Sequence, residues 1–288
     1  TVDCNARLCY LDPQTGAAAA VAEAGRNLVV SGAKPLAVTD GLNFGNPEKP
    51  EIYWQFSQTI AGITKACSAL DTPVVGGNVS FYNESQDQAI RPTPIIGMLG
   101  LINDAAKICT KDFKDAGDVV VLLGSNRDEL GGSEYLAAIH DLTAGKPPAL
   151  DLELEKRLQT ACLEAIEAGL VKSAHDCSEG GLATALAECS VQGKLGASVT
   201  LDDNLPACSL LYGESHSRIV VSTTKGDLSK LIELVSTHNV PVKIIGEVQP
   251  GTLEIIQISD NNQIPLIQLE VEELESAWRG AIACHMKQ

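Results

Sequence analysis

Apolar positions in the first hundred residues alternate between helical spacing and short continuous runs. Residues 14–32 and 51–70 carry apolar side chains at helical spacing, which predicts two amphipathic helices. Short apolar runs predict strands at 33–40 and 93–102, and "TPVVGGNVSFYN" (72–83) is predicted to be a strand followed by a loop. Residues 41–50 contain two Gly, two Asn and two Pro, and are predicted to form a loop. Helices that alternate with strands in this way indicate an α/β domain.

The pattern loosens over 103–117, where polar residues show no sustained period, and we place a domain boundary there. The second region begins with an apolar run at 117–124, and a helix is predicted to start within "GGSEYLAAIH". Further helices are predicted at 151–170, 178–193 and 227–239, and further strands at 197–202, 216–223, 241–248 and 252–258. We therefore predict an α/β domain over 1–105, an α+β domain over 115–260 and a C-terminal extension over 261–288.

Composition narrows the classes of function. The chain has 288 residues and a formal net charge of −16, which disfavours a general nucleic-acid or membrane-surface role because both need a basic footprint. Such a protein can still bind a nucleotide through metal ions and backbone amides. No apolar run approaches the ~20 residues that cross a bilayer, and no signal peptide opens the chain.

The nine cysteines form no CxxC pair, so neither a zinc site nor a disulfide framework is indicated. Most lie among small or apolar residues, which is typical of buried free thiols in a reducing compartment. We therefore expect a cytoplasmic protein. The chain begins with Thr1 in the middle of a motif-bearing stretch, so we expect it to be part of a longer polypeptide.

Two predicted strands of the first domain run into polar residues or glycine. "PLAVTD" ends at Asp40, and "PVVGGN" ends at Gly76, Gly77 and Asn78, with Ser80 two residues later. Binding sites of α/β sheets gather where strands end. A carboxylate and an amide oxygen suit Mg²⁺, which takes a few oxygen ligands together with phosphate oxygens, and glycines let a phosphate approach the backbone. Gly-Gly-Asn after a strand is also an ordinary turn, so both interpretations stay open.

The second region offers weaker candidates. Within "SAHDCSEGG", His175 and Asp176 are adjacent on an extended segment and point to opposite faces, and Ser178 resembles a helix N-cap before amides that could hold an anion. Glu214, His216 and Arg218 alternate along a predicted strand, where a salt-bridged, exposed face is favoured over a catalytic set. Cys177 has no evident base partner for a nucleophilic role.

Four stretches in this order resemble phosphoribosylformylglycinamidine synthase, in the large synthetase subunit of its multi-subunit form. They are "YLDPQTGAAAAVAEAGRNLVVSGAKPLAVTDGLNFGNPEKPEIYWQ", "PVVGGNVSFYNES", "AHDCSEGGLATALAE" and "YGESHSRIVVS". The resemblance covers essentially the whole chain and only the second half of that subunit. It implies an aminoimidazole-ribonucleotide-synthetase-like unit of α/β plus α+β fold, with two domains and mixed sheets.

The same resemblance implies an ATP-dependent ligase of purine biosynthesis. It would convert formylglycinamide ribonucleotide, glutamine, ATP and water to formylglycinamidine ribonucleotide, glutamate, ADP and phosphate. Position by position, Asp40 and Gly77 look like ATP contacts, Asn78 like a Mg²⁺ ligand and Ser80 like a contact to formylglycinamide ribonucleotide. The catalytic histidine and most ligands would lie in the half that is missing here, so no catalytic residue is assigned.

The resemblance also implies partners, namely a glutaminase subunit and a small accessory subunit. First domains of this superfamily pack sheet to sheet, so we expect the chain on its own to be inactive and to cover its apolar sheet face by forming a homodimer. Two alternatives stay open. One is a non-catalytic scaffold half that binds nucleotide structurally. The other is a different ATP-using member of the superfamily, such as a selenophosphate synthetase or a thiamine-phosphate kinase.

Overall fold

The structure is a computed structural model that describes residues 1–85, 88–260 and 262–286. In the part of the chain it describes, two mixed sheets each carry helices, which confirms the α/β plus α+β expectation. No helix among these residues is long and apolar enough to span a bilayer.

The first sheet has the strand order β1-β6-β2-β3 over the described residues. Strands β2 and β3 are parallel, and β6 runs antiparallel to β1 and β2. The first-domain strands are β1 (Val2–Asp3), β2 (Lys34–Asn43), β3 (Val74–Ser80), the short pair β4 (Glu84–Ser85) and β5 (Gln88–Ala89), and β6 (Thr93–Leu101). Its helices are α1 (Ala6–Leu11), α2 (Pro13–Val29) and α3 (Pro50–Leu70).

Helices α2 and α3 cover one face of this sheet. Asp12 caps α2 by accepting hydrogen bonds from the backbone N–H groups of Gln14 and Thr15, both at 3.1 Å. An alanine-rich face of α2 allows close packing, and a Cβ on Gly62 of α3 would come within 2.2 Å of the Gln14 carbonyl oxygen. Phe44 anchors this layer and is 1% exposed. The opposite face of the sheet has no helix on it among the described residues.

The second sheet has the order β13-β12-β9-β11-β7-β10-β8 over the described residues. Its strands are β7 (Val119–Leu123), β8 (Ser173–Asp176), β9 (Leu195–Leu201), β10 (Ile219–Thr223), β11 (Val242–Pro250), β12 (Thr252–Ser259) and β13 (Asn262–Glu270). The second-domain helices are α4 (Glu134–His140), α5 (Leu152–Glu167), α6 (Gly181–Gly193), α7 (Ala207–Tyr212), α8 (Leu228–Thr237) and α9 (Val271–His285). A short 3-10 turn, Ala105–Lys107, lies in the predicted boundary region.

The sequence did not indicate several of these elements. They are β1, α1, β4, β5, β8, α7, β13 and α9. Of the predicted extension 261–288, Asn261, Lys287 and Gln288 lie outside the described residues, and β13 pairs with β12 as an edge strand of the second sheet. The extension is thus joined to the second domain by a strand ladder.

A buried guanidinium joins the two domains. Arg26 on α2 is fully buried, and its Nη1 donates to Glu155 Oε2 on α5 at 3.0 Å. Its Nε lies 3.8 Å from Asp176 Oδ2 on β8. Glu155 also accepts hydrogen bonds from Ser217 Oγ at 2.6 Å and from Gln159 Nε2 at 2.9 Å. Two segments of the second domain, α5 and β8, therefore meet one side chain of the first, and Ser217 supports the pair through Glu155.

Glu214 organises the start of two helices. Its Oε1 accepts the backbone N–H of Gly180 at 2.8 Å and that of Glu134 at 2.7 Å, so the anion at the N-terminus of α6 is internal to the chain. The N-cap of α6 is Gly180 in the left-handed conformation, which corrects the prediction that Ser178 would be the cap. Burial raises the pKa of Glu214 to about 7, against the two backbone N–H groups, which lower it.

We expect Arg26→Met to lower the free energy of unfolding by about 3–5 kcal/mol, because it leaves the buried Glu155 carboxylate without its cation. Urea unfolding followed by circular dichroism measures this loss. Arg279→Met is the matched control, since Arg279 pairs with Glu275 at the surface and its loss should change little. Equal losses in the two variants would contradict the role given to Arg26.

We expect Glu214 to make the protein less stable as the pH rises from about 4.5 to about 7. Its pKa is higher in the folded than in the unfolded chain, so the folded state holds the extra proton in this window and loses it above. Glu214→Gln keeps an acceptor for the two N–H groups and cannot ionise. The free energy of unfolding of the wild type minus that of Glu214→Gln should fall by up to about 3 kcal/mol across this pH window. A constant difference in urea unfolding at pH 4.5 and pH 8 would refute this.

Candidate functional site

The structure brings the four predicted site residues onto two adjacent strands. In the parallel ladder of β2 and β3, Asp40 lies opposite Gly77, and Gly41 lies opposite Asn78. The next-but-one pair is Asn43 with Ser80. Residues separated by almost forty positions in the sequence are thus neighbours in space.

Asp40, Gly77 and Asn78 lie within strands and not at their ends, which corrects the basis of the sequence prediction, whereas Ser80 is the last residue of β3. Strand β2 continues to Asn43, through three residues that were predicted to be loop, and β3 continues to Ser80. Gly41 to Asn43 are held on both sides, because β3 and β6 each pair with them. Asp40, Gly77 and Asn78 are therefore set by ladder hydrogen bonds rather than by a turn.

The alternation of a strand sends the candidate side chains to opposite faces. Asp40 shares its face with the buried Val38 and Leu42, and so points toward the helix layer. Burial raises the pKa of Asp40, and the Asp40 charge contributes to raising the pKa of Cys67 on α3. Asn78 pairs with Gly41, the residue after Asp40. Its side chain therefore points to the opposite, open face of the sheet. A single cation held jointly by Asp40 and Asn78, as the sequence suggested, does not suit this register.

Gly77 provides the space in which the Asp40 carboxylate lies. A Cβ built on Gly77 would come within 2.1 Å of Asp40 Oδ1 and 2.8 Å of its Cγ. A Cβ on Gly76 would meet nothing within 4 Å. The two glycines therefore differ, because Gly77 accommodates a side chain and only Gly76 borders open space.

Ser80 belongs to a tight loop that closes the ends of both strands. The Phe44 N–H donates to the Ser80 carbonyl at 3.0 Å, and the Asn83 N–H donates to the Phe44 carbonyl at 3.1 Å. The side chain of Asn83 contacts Ser80 as well, with its Nδ2 2.9 Å from the Ser80 carbonyl oxygen. Sequence reasoning missed Asn83, because nothing in the spacing of "SFYNES" distinguishes it from any other loop asparagine.

The side chain of Asn78 suits the role of Mg²⁺ ligand that the sequence predicts for it. The described residues contain no group of three or more His, Cys, Asp or Glu side chains that could hold a metal ion. The exposed Asn78 amide oxygen is a hard donor on the open face. It suits an ion that takes its other ligands from phosphate oxygens, water and a facing surface.

His175 and Arg218 of the second domain are engaged in internal contacts. His175 Nε2 lies 2.7 Å from Glu188 Oε2. Burial lowers the pKa of His175, but hydrogen bonds to Asp176 and Glu188 outweigh it and raise the pKa overall. Arg218 donates to the carbonyls of Gly213 at 2.6 Å and Ser215 at 2.9 Å. These partners hold the fold together and leave neither side chain facing a ligand.

Glu214, His216 and Arg218 do not form an exposed strand face, which corrects the sequence prediction. They lie in the loop before β10, and Glu214 and Arg218 are buried. Burial, with the nearby Arg26 and Arg218 charges, lowers the pKa of His216 to about 3.

The described cysteines are free, and most are buried as predicted. Burial raises the pKa of Cys177 to about 11, so its thiol is not an activated nucleophile.

Comparisons with known proteins address the whole chain. Residues 1–102 match the family model for the AIR synthase related protein, N-terminal domain, and residues 115–259 match that for its C-terminal domain. The subunit PurL of phosphoribosylformylglycinamidine synthase from Alkaliphilus metalliredigens is 50% identical over 287 residues, covering 100% of this chain and 38% of the relative. The corresponding subunit from Caldanaerobacter subterraneus is also 50% identical, covering 100% of this chain and 39% of the relative. The chain thus spans less than two fifths of the length of these relatives.

Solved structures share the fold. T. maritima PurL complexed with FGAR superposes with a TM-score of 0.79 at 24% identity, over 95% of this chain and 45% of that one. T. maritima PurL complexed with ATP gives 0.70 at 23% identity, over 91% of this chain and 41% of that one. E. coli HypE, a hydrogenase maturation protein, gives 0.66 at 15% identity, over 88% and 79% of the two chains. With both domain models matched in order and half of all residues identical to two PurL subunits, the chain belongs to the family of AIR synthase related proteins.

Proposed function

We propose that this chain is the second half of the synthetase subunit of phosphoribosylformylglycinamidine synthase. The assembled enzyme would convert formylglycinamide ribonucleotide, glutamine, ATP and water to formylglycinamidine ribonucleotide, glutamate, ADP and phosphate. The observation that carries the proposal is 50% identity to PurL subunits along the entire chain. A reaction of this class uses ATP to phosphorylate an amide oxygen, which ammonia then displaces as phosphate.

The proposed contacts divide between the two faces of one strand pair. Asp40 and Gly77 would contact ATP near the helix layer, whereas Asn78 would ligate Mg²⁺ and Ser80 would contact formylglycinamide ribonucleotide on the open face. ATP would reach around the edge of the sheet at β3, so that its phosphates meet the Mg²⁺ on Asn78. Bound Mg²⁺ would neutralise the phosphate charge during transfer. The adjacency of these residues, and the fit of the Asp40 carboxylate over Gly77, support this division.

The open face bears no acid or base to which we assign catalysis, so the site is proposed to be composite. A second sheet facing β2 and β3 would supply the missing groups, either from the rest of a longer polypeptide or from a second copy. The glutaminase subunit and the small accessory subunit would deliver ammonia, and the reaction would take place in the cytoplasm. The name of a structural relative, PurLQS from T. maritima, supports an assembly of this kind.

A scaffold half is the second candidate function. The observation that favours it is the engagement of His175, Glu214 and Arg218 in internal hydrogen bonds, which leaves the second domain without an assigned ligand contact. In this alternative the chain would bind nucleotide structurally, or would support an active half.

We expect the chain to bind Mg²⁺-ATP and to lose that binding in Asn78→Ala, because the amide oxygen is the one metal ligand we assign to it. Isothermal titration calorimetry measures both variants. Gly77→Ala should weaken binding at least about tenfold. The added Cβ would lie 2.1 Å from Asp40 Oδ1 and would therefore displace the Asp40 carboxylate.

Gly76→Ala is the matched control for the glycine variant, because its Cβ would enter open space. It should retain most of the affinity. No binding by the wild-type chain would favour the scaffold half or a site completed by a facing sheet. Equal effects of the two glycine variants would contradict the role given to Asp40.

The open face also bears on the state of assembly. Val2, Ile95, Leu99 and Leu101 point to it by register and are 70%, 38%, 67% and 52% exposed. Leaving such a surface in water costs ~25 cal/mol per Å² of apolar area, and large exposed patches mark interaction sites. We propose that a second copy of the chain covers this face when no other sheet does.

We expect sedimentation velocity to give a dimer at micromolar concentration. Leu99→Glu should convert it to a monomer, because the charge would be buried between the sheets. Ile139→Glu is the control, since Ile139 is 66% exposed on α4 of the second domain. A monomeric wild-type chain would refute the homodimer.

A further inference from the structure

Asn83 gathers the ends of β2 and β3 with one side chain. Its Nδ2 lies 3.0 Å from the Phe44 carbonyl oxygen, 2.9 Å from the Ser80 carbonyl oxygen and 3.2 Å from Ser80 Oγ. Its Oδ1 lies 3.3 Å from Ser80 Oγ. The amide therefore meets both the backbone and the hydroxyl of Ser80.

The surroundings hold this amide in place. Phe44 is buried, and its ring packs edge-on against Phe56 at 5.4 Å between centroids, so the Phe44 carbonyl is fixed. The backbone of Asn83 is tied on both sides, because its N–H donates to Phe44 and its carbonyl accepts the Ile90 N–H at 3.0 Å. Asn83 is half-buried and cannot turn away without breaking these contacts.

A count of protons decides the direction of the hydrogen bond to Ser80. An asparagine amide carries two N–H donors and one carbonyl acceptor. The two carbonyl oxygens are the nearer acceptors, so they take both amide protons. Asn83 Oδ1 is then left to accept the proton of the Ser80 hydroxyl.

We propose that Asn83 is a positioning residue that makes the Ser80 hydroxyl a hydrogen-bond acceptor toward the substrate. This inference rests on the proposed function, in which Ser80 contacts formylglycinamide ribonucleotide. With its own proton held by Asn83, Ser80 Oγ offers lone pairs to the ligand. It therefore receives a donor, a ribose hydroxyl or an amide N–H, and it does not bind the 5′-phosphate, whose oxygens only accept at neutral pH.

The first test removes ligand groups one at a time in the assembled synthetase. Steady-state kinetics compares the wild type with Ser80→Ala, using formylglycinamide ribonucleotide and analogues that lack the 2′-hydroxyl, the 3′-hydroxyl or the 5′-phosphate. We expect Ser80→Ala to raise the substrate KM about tenfold, as for the loss of one hydrogen bond. Removal of one of the two hydroxyls should raise the KM of the wild type about tenfold as well, and should raise the KM of Ser80→Ala no further. If neither hydroxyl gives this result, an analogue N-methylated at an amide should give it.

The second test changes Asn83. Asn83→Asp keeps the shape and loses both N–H donors, so Ser80 is no longer held by the same geometry. It should raise the KM for formylglycinamide ribonucleotide about tenfold and leave the KM for ATP unchanged, because the Asn83 side chain contacts Ser80 and Phe44 and none of the residues assigned to Mg²⁺-ATP. Asn46→Asp is the matched control, since Asn46 Oδ1 only accepts, from the Glu48 N–H at 2.8 Å.

The outcomes separate this inference from the proposed function. If Ser80→Ala leaves every KM unchanged, Ser80 does not contact the substrate, and this inference falls together with the Ser80 contact of the proposed function, whereas the assignment of the chain to the synthetase subunit does not depend on it. A second outcome is that Ser80→Ala raises the KM, and that removal of the 5′-phosphate from the substrate raises it no further in this variant. Ser80 then donates to the phosphate, and only this inference falls. The analogue test needs no change at Asn83, so it decides the matter even if Asn83→Asp unfolds.

Discussion

The arrangement of the two domains depends on a buried charge whose carboxylate partners lie in both domains. Arg26 belongs to the helix layer of the first sheet, where its Nη2 lies 3.7 Å from Glu23 on the same helix, while Glu155 and Asp176 belong to the second domain. A guanidinium without exposure to water is strongly unfavourable unless it is paired, so separation of the domains would leave Arg26 with Glu23 alone and take the cation from Glu155 and Asp176. This constraint keeps α2 against the second domain, and α2 in turn supports the strands that carry the candidate site.

Those strands then divide the site by geometry. The alternation of side chains places Asp40 toward the helices and Asn78 toward the open face, although their backbones are neighbours. Gly77 leaves room for this arrangement, because the Asp40 carboxylate occupies the volume that a Cβ at position 77 would fill. A ligand that used both faces would have to reach around the edge of the sheet, where β3 is the last strand among the described residues.

The sequence was sufficient for the helices with a strong apolar period, and it proposed candidate site residues that the fold brings onto two adjacent strands. It failed where distant parts of the chain decide the outcome. The strand through Asn43 exists because β3 and β6 both pair with it, and no local pattern records a partner fifty residues away. Glu214 looked like an exposed strand residue because a carboxylate is seldom buried, and only the N-termini of two remote helices make its burial tolerable. Asn83 was missed for the same reason, since the Phe44 and Ser80 carbonyl oxygens to which it donates become neighbours only when the strands close.

The open face connects stability with function. Helices cover just one face of the first sheet. The other face exposes aliphatic side chains such as Leu99 and Leu101 to water, which costs free energy. The same face carries Asn78 and Ser80, whose polar groups alone cannot surround a nucleotide or a metal ion. The facing sheet that we propose would remove both deficits at once, because it would bury the apolar side chains and bring further ligands opposite Asn78 and Ser80. On this proposal the strands themselves require a partner surface, and an incomplete site is what we expect of this chain in isolation.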